Sequence, residues 1–263
     1  MDEDFASLLE GLTPAGRGES GGWTGLVPES WLQGRTAYGG FTSALALELA
    51  RRALPEPMPL ASAQFAMIAP LAGPIEGQAR IVRQGRNATW VTAQLGNARG
   101  CGFIANCVFM HPRESALAIA GYAPPPGVVP VAEAPALDVG HLPSFMERHF
   151  SVREALPGGS EADLCWWVRL NHREGLSGEV EAVLVGDALP PAVLPHLPRG
   201  TPVSSMQWHV NRLGADAVPA DDWWLIRSTS RHCAQGLASE DIVQWGANGA
   251  PVIAGVQSVA VFG

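Results

Sequence analysis

Two adjacent glycines close the stretch Trp31-Leu32-Gln33-Gly34-Arg35-Thr36-Ala37-Tyr38-Gly39-Gly40 and lead into an alanine- and leucine-rich run, Phe41 to Leu54. Read as a hinge feeding a buried helix, they have a chemical use. With no side chain at Gly39 or Gly40, a substrate carbonyl can approach the first backbone N–H groups of the helix, which lack intrahelical partners and sit at its positive dipole end. Acyl transfer needs such a polarised carbonyl, although paired glycines also serve as a plain tight turn. Later, Gly186-Asp187 reads as the opening of a second helix, Ala188 to Leu197. A carboxylate at a helix N-terminus is stabilised in its charged form and can take a proton from water; the same residue is also a common N-cap. Gln257 stands in an otherwise apolar strand, where a buried amide must find partners, either in the core or at a site.

The elements that position these residues follow from composition and repeats. At 263 residues, with 47% apolar and 16% charged side chains, the chain has ample material for a core and is globular in character. A formal net charge of -8 argues against nucleic acid as the main partner. The start, Met1-Asp2-Glu3-Asp4, lacks the basic and apolar regions of a signal peptide, and no uninterrupted apolar stretch is long enough to span a bilayer, so a cytoplasmic protein without a membrane partner is expected. Cys101, Cys107, Cys165 and Cys233 form no C-x-x-C pair and are expected as buried free thiols. The histidines match no metal-binding pattern, so neither metal nor organic cofactor is expected.

Two related halves are visible. Ser62-Ala63-Gln64-Phe65-Ala66 resembles Ser205-Met206-Gln207-Trp208-His209, and Gln94 to Gly100 with Phe103-Ile104-Ala105 resembles Gln244 to Gly249 with Val252-Ile253-Ala254. Both latter segments read as hairpins whose Gly and Asn residues supply positive-φ turns. The copies lie about 143 to 149 positions apart, a long-period duplication, which aligns Asp187 with Gly40 and Gln257 with Val108. In each half a short strand is followed by one apolar helix and four strands. For the first half these are Trp23 to Val27, Phe41 to Leu54, Leu60 to Ile68, Ile75 to Gln84, Thr89 to Leu95 and Gly102 to Phe109. For the second they are Cys165 to Leu170, Ala188 to Leu197, Val203 to Leu213, Trp223 to Thr229, Leu237 to Trp245 and Val252 to Phe262. A helix apolar nearly all round must be buried, and a curved antiparallel sheet wrapped about it gives an α+β, double hot-dog arrangement. The expected units are 1–110 and 161–263, joined by a proline-rich linker, 111–160, suited to crossing one whole unit.

The whole chain resembles the double hot-dog acyl-CoA thioesterases of the thioesterase II type. Four places carry the likeness: Tyr38-Gly39-Gly40 with its helix, Arg83-Gln84-Gly85-Arg86-Asn87, Gly186-Asp187, and Ile253-Ala254-Gly255-Val256-Gln257. The resemblance implies hydrolysis of an acyl-CoA to free acid and CoA, with Asp187, Thr201 and Gln257 orienting the water; Ser204 or Ser205 can replace Thr201. Gly39 and Gly40, from their place at the start of the first helix, are the expected backbone donors to the thioester carbonyl. Coenzyme A carries phosphates, which makes Arg83, Arg86, Arg227 and Arg231 candidate contacts, with ordinary strand-edge charge as the alternative. Tyr38 and Trp208 are expected to contact substrate, and Phe65, Met67 and Met206 to border an apolar acyl tunnel.

Three other readings compete. Gly18-Glu19-Ser20-Gly21-Gly22 satisfies the serine-hydrolase elbow pattern, but lies in a glycine-rich run without the strand and helix that an elbow requires. A hot-dog hydratase would need a His and Asp motif not found here, and a non-catalytic acyl-thioester-binding protein would use the same fold without turnover. A homo-oligomer is also possible through exposed strand edges, and Trp166-Trp167 and Trp223-Trp224 each send one indole away from the helix, toward an interface or the linker.

Overall fold

The computed structural model describes residues 4–15, 21–140, 142–157, 162–214 and 222–262. The serine-hydrolase pattern at Gly18-Glu19-Ser20, like Met1-Asp2-Glu3, lies outside these described residues, whereas Gly21 and Gly22 belong to a strand.

A short helix α1 (Phe5–Glu10), capped by the Asp4 carboxylate, precedes strands β1 (Thr13–Pro14), β2 (Gly21–Val27), β3 (Leu32–Gln33) and β4 (Thr36–Ala37). Then come helix α2 (Gly39–Arg52) and strands β5 (Leu60–Met67), β6 (Gly73–Gln84), β7 (Ala88–Asn97) and β8 (Gly100–Met110). The second half contains α3 (Ser144–His149), β9 (Phe150–Glu154), β10 (Asp163–Leu170), α4 (Gly178–Gly186), β11 (Val203–Arg212), β12 (Trp224–Ala234), β13 (Leu237–Gly246) and β14 (Pro251–Val261). Twelve of these strands form one antiparallel sheet in the order β1-β2-β6-β7-β8-β5-β11-β14-β13-β12-β10-β9, and β3 pairs with β4. The run β2-β6-β7-β8-β5 has its counterpart in β10-β12-β13-β14-β11, and the two meet where Phe65 of β5 faces Trp208 of β11.

Period-two patterning explains the strands. In β7, Thr89, Val91, Ala93 and Leu95 point inward and are buried, while the residues between them face outward or lie near the surface. The β7–β8 and β13–β14 hairpins turn at Gly100 (φ 113°) and Gly249 (φ 78°). The asparagines do not take the left-handed conformation; the Asn97 and Asn248 Oδ1 atoms instead accept the N–H of Arg99 at 2.9 Å and of Ala250 at 3.0 Å.

Helix α2 forms because alanine and leucine have high helix propensity, and it is buried almost all round, against β6, β7, β8 and α4. Its two inward hydroxyls are satisfied locally: Thr42 and Ser43 both donate to the Gly39 carbonyl, at 3.0 and 2.8 Å. Arg51 and Arg52 close the helix at its negative dipole end, each paired with Glu48.

The second helix lies elsewhere than its expected position. Residues 188–197 form turns and a 3-10 segment (Leu194–His196), because Pro190 and Pro191 remove donors and restrict the residue before them. The helix is α4, immediately upstream, whose Ser177 accepts from the Val180 N–H and whose first turn contains Glu179 and Glu181. Its valines, Val180, Val183 and Val185, read equally well as a buried strand.

The linker is more structured than an extended connection, since it contains α3 and β9. Its stretch from Tyr122 to Val131 crosses the outer face of the second half. There Trp245 donates to the Tyr122 carbonyl and Trp167 to the Val129 carbonyl, each at 2.8 Å. Trp167 and Trp245 are buried under Val128, Val129, Val131 and Leu156, with Trp223 packed beside them. Trp166 and Trp224 point the other way, into the main core.

Candidate active site

Asp187 sits at the C-terminal cap of α4, not at a helix start. The helix N-terminus it meets belongs to the other half. A Cβ on Gly39 would stand 2.5 Å from Asp187 Oδ2, and one on Gly40 would collide with the Leu184 carbonyl and the Tyr38 hydroxyl. The paired glycines therefore let the start of α2 and the end of α4 touch, and the Gly40 N–H donates to the Asp187 carboxylate. From the opposite side the Gln257 Nε2 donates to Asp187 Oδ1 at 2.6 Å. Burial pushes the Asp187 pKa up to about 7, against the opposing pull of the bonds from Gln257 and Gly40. A carboxyl so poised is half ionised near neutrality and can exchange a proton with water.

This carboxylate opens onto a cavity of about 360 Å³. The first half contributes Gly39, Thr42, Met67 and Gly102 to its wall, and the second half contributes Ser204 and Ser205. Ser205 precedes a β-bulge in β11, which re-aims the strand at this point. Among the described lining residues Asp187 is the only acid, and none is a histidine.

The other sequence-selected residues fall in several places. Thr201 lies before β11 with its hydroxyl donating to the Pro198 carbonyl at 2.8 Å; Ser204 and Ser205 line the cavity and Thr201 does not. Tyr38 is fully buried, so it supports the site from behind: its hydroxyl donates to the Leu184 carbonyl at 2.8 Å and its ring stacks on Phe145. Burial, then the charge of Asp187, holds that hydroxyl well above its usual pKa. Trp208 is wholly buried against Phe65, and its indole is in contact range of the α-carbon face of Gly186, directly before Asp187. Met67 borders the cavity and Met206 is exposed.

The four expected phosphate-binding arginines lie elsewhere. Arg83 caps the exposed Trp90 ring and Arg86 lies in the β6–β7 turn, roughly 40 Å or more along β6 from Leu71 at the cavity. Arg227 pairs with Asp163 and Arg231 with Asp241. The basic residue at the cavity is Arg35, in the two-residue β3–β4 turn behind Gly34 (φ 66°). It stood inside the very stretch that drew attention to the glycines, and its signal was the Gly34-Arg35 turn directly upstream of them.

The strand register also revises the pairing of the two halves. Gln257 faces Trp208 on one side and Glu240 on the other, while Ala105 faces Phe65 and Ala93. The first-half counterpart of Gln257 is therefore Ala105, not Val108, and the polar row Trp208-Gln257-Glu240 replaces an apolar row, Phe65-Ala105-Ala93. Glu240 is held by the Ala192 N–H at 2.9 Å and the Ser228 hydroxyl at 3.1 Å. All four cysteines are free; Cys107 and Cys165 are buried, their thiols pushed up to about 12 by burial, but Cys101 and Cys233 are exposed. Among the described residues no group of three or more His, Cys, Asp or Glu side chains is arranged to hold a metal, and no helix is long and apolar enough to cross a membrane.

Residues 27–110 match the family model of the acyl-CoA thioesterase N-terminal domain, and residues 124–261 match that of the acyl-CoA thioesterase C-terminal domain. The chain is similar over 98% of its length to 98% of a conserved hot-dog-fold protein from Alicyclobacillus acidocaldarius, at 20% identity and a TM-score of 0.82. It is similar to the tesB protein of Mycobacterium avium subspecies paratuberculosis at 17% identity, covering 98% and 97% of the two chains with a TM-score of 0.75. For the acyl-CoA thioesterase II TesB2 of Mycobacterium marinum the values are 17% identity, 91% and 92% coverage and a TM-score of 0.72. These likenesses identify a hot-dog fold. No curated protein matches the chain by sequence.

Proposed function

The chain belongs to the acyl-CoA thioesterase family, and on that premise we propose that it hydrolyses an acyl-CoA to a carboxylic acid and free CoA within a double hot-dog. Each unit is built on one inner helix, α2 in the first and α4 in the second. The observation that carries the reading is the Asp187 carboxylate, held between the Gly40 N–H and the Gln257 amide and opening onto a cavity lined by both halves.

In the proposed mechanism a water rests between Asp187 and the thioester carbonyl carbon. Asp187 takes one water proton as the oxygen attacks, and as the C–S bond breaks it passes that proton to the departing sulfur, which leaves as the CoA thiol and returns Asp187 to its carboxylate form. Gln257 fixes the carboxylate, and Ser205 replaces Thr201 as the hydroxyl on the water. The Gly40 N–H serves Asp187 itself, which leaves Gly39 as the backbone donor facing the carbonyl oxygen. A hydratase reading lacks a second proton carrier, since no histidine is among the described lining residues.

The test is release of free thiol from a panel of acyl-CoA esters of varied length and branching, with and without a chelator. Thiol release that persists under chelation supports the reading. Tight acyl-CoA binding without release would favour a non-catalytic binding protein, and activity lost on chelation would overturn the metal-free mechanism.

A further inference from the structure

Arg35 has a second neighbour. Together with Pro70 it lines both the Asp187 cavity and an open groove of about 690 Å³, so the two spaces share a wall at the β3–β4 turn. The groove runs over the start of β6 to the β7–β8 turn, where Arg99 lines its wall. Arg35 and Arg99 are both exposed, and among the described residues neither forms an ion pair. The contrast with Arg227 and Arg231, each already joined to an aspartate, is direct. One acid, Glu76, also lines the groove, which leaves an excess of positive charge at this point of a chain whose formal net charge is -8.

We propose that this groove holds the phosphorylated nucleotide end of the leaving group, with Arg35 and Arg99 on its phosphates, and so selects free coenzyme A thioesters over thioesters whose phosphopantetheine arm ends in a carrier protein. The proposal rests on the thioesterase reading and adds the part of the substrate that the site recognises. A phosphopantetheine arm carries one phosphodiester and then a protein, whereas coenzyme A continues into a nucleotide with further phosphates. A single arginine at the cavity mouth would serve both substrates. A second arginine that lines the groove and not the cavity has a use only for the longer one. Glu76 fits the same occupant, because a carboxylate can accept from a ribose hydroxyl or an adenine amine.

The experiment compares one acyl group carried on CoA, on dephospho-CoA, on pantetheine and on a carrier protein, for the wild-type chain and the Arg99→Gln and Arg35→Gln variants. The wild type should prefer the CoA ester to both the pantetheine and the carrier-protein esters. Loss of a charge-assisted contact should lower the CoA-to-pantetheine ratio of kcat/KM about tenfold in Arg99→Gln, mainly through KM. Equal ratios in the variants and wild type, or equal use of the carrier-protein ester, would overturn the groove assignment while leaving hydrolysis established. If no thioester is hydrolysed the proposed function fails separately. Calorimetric titration of CoA then decides the groove: weaker binding in Arg99→Gln supports it, and unchanged binding overturns it.

Discussion

At Asp187 desolvation competes with two donors, and the outcome is measurable in activity and in stability. In the proposed mechanism its ionised form is the base, and burial raises its pKa to about 7. The proposed kcat/KM should therefore rise with pH through about 7 and level off above it. Gln257 pulls that pKa down, so Gln257→Ala should move the inflection upward as well as slow turnover; an unmoved profile would separate the inflection from Asp187. Asp187→Asn should lower turnover by about a hundred- to ten-thousand-fold, the range for loss of a general base. Stability should run the other way. Between about pH 4, where an unfolded aspartate ionises, and about pH 7, the folded chain binds a proton that the unfolded chain has released. Stability contributed by this group thus falls as pH rises across that window, by up to about 4 kcal/mol. Asp187→Asn, which cannot ionise, should be the more stable protein at pH 8 and lose its advantage near pH 4. Denaturant unfolding at the two pH values checks this, and equal stabilities at pH 8 would mean that the carboxylate is not strongly desolvated.

Helices α2 and α4 bring Asp187 to its partners, and their contact depends on Gly40. A methyl group there meets the Leu184 carbonyl, which is fixed backbone, and the hydroxyl that Tyr38 already donates to it. Gly40→Ala should therefore part the helices, destabilise the fold by about 1–3 kcal/mol as overpacking does, and withdraw the N–H from Asp187. Thermal unfolding together with the pH profile would reveal this as a lower Tm and a displaced inflection. A variant with wild-type values in both would show that the two helix ends are not in contact. Gly39, Gly40, Asp187 and Gln257, which the fold brings together, stood out in the sequence because small or polar residues interrupt apolar runs there. The ten expected strands were legible to within about five residues, because alternation survives in β7 and β13 whatever packs on them, whereas the short strands β1, β3, β4 and β9 were not. The position of α4 was not. Valine-rich helices and buried strands share one pattern, and the aspartate that looked like a helix start is the residue that ends one. Recognition of Pro190-Pro191 as breakers, and of Ser177 followed by Glu179 as a helix start, would have moved the helix upstream. Arg35 was missed for another reason: a hairpin turn carries it to the cavity, and only the Gly34-Arg35 pair, not any periodicity, announces that placement.

Across the whole chain, the strand order meets itself at β5 and β11, and the cavity draws Gly39 from one half and Asp187 from the other. The two halves differ in one inward row: Gln257 and Glu240 occupy positions that Ala105 and Ala93 fill in the first half. The linker closes the outer face of the second half, where Trp167 and Trp245 lie beneath it with their indole N–H groups bonded to its carbonyls. Those rings are accordingly covered within one chain and need no partner subunit to leave water. On the first half no such cover is present among the described residues: Trp90, Val82 and Met110 remain exposed, and pairing of copies through this surface is compatible with the fold. On the proposed reading assembly and catalysis are separate, because both helix ends and the cavity between them belong to a single chain. Specific activity per chain should stay constant across a dilution series that light scattering follows from any oligomer down to the monomer. If activity instead disappears as the chains part, a residue from a second copy completes the site, and the assignment of Gly39, Asp187 and Gln257 as a sufficient set fails with it.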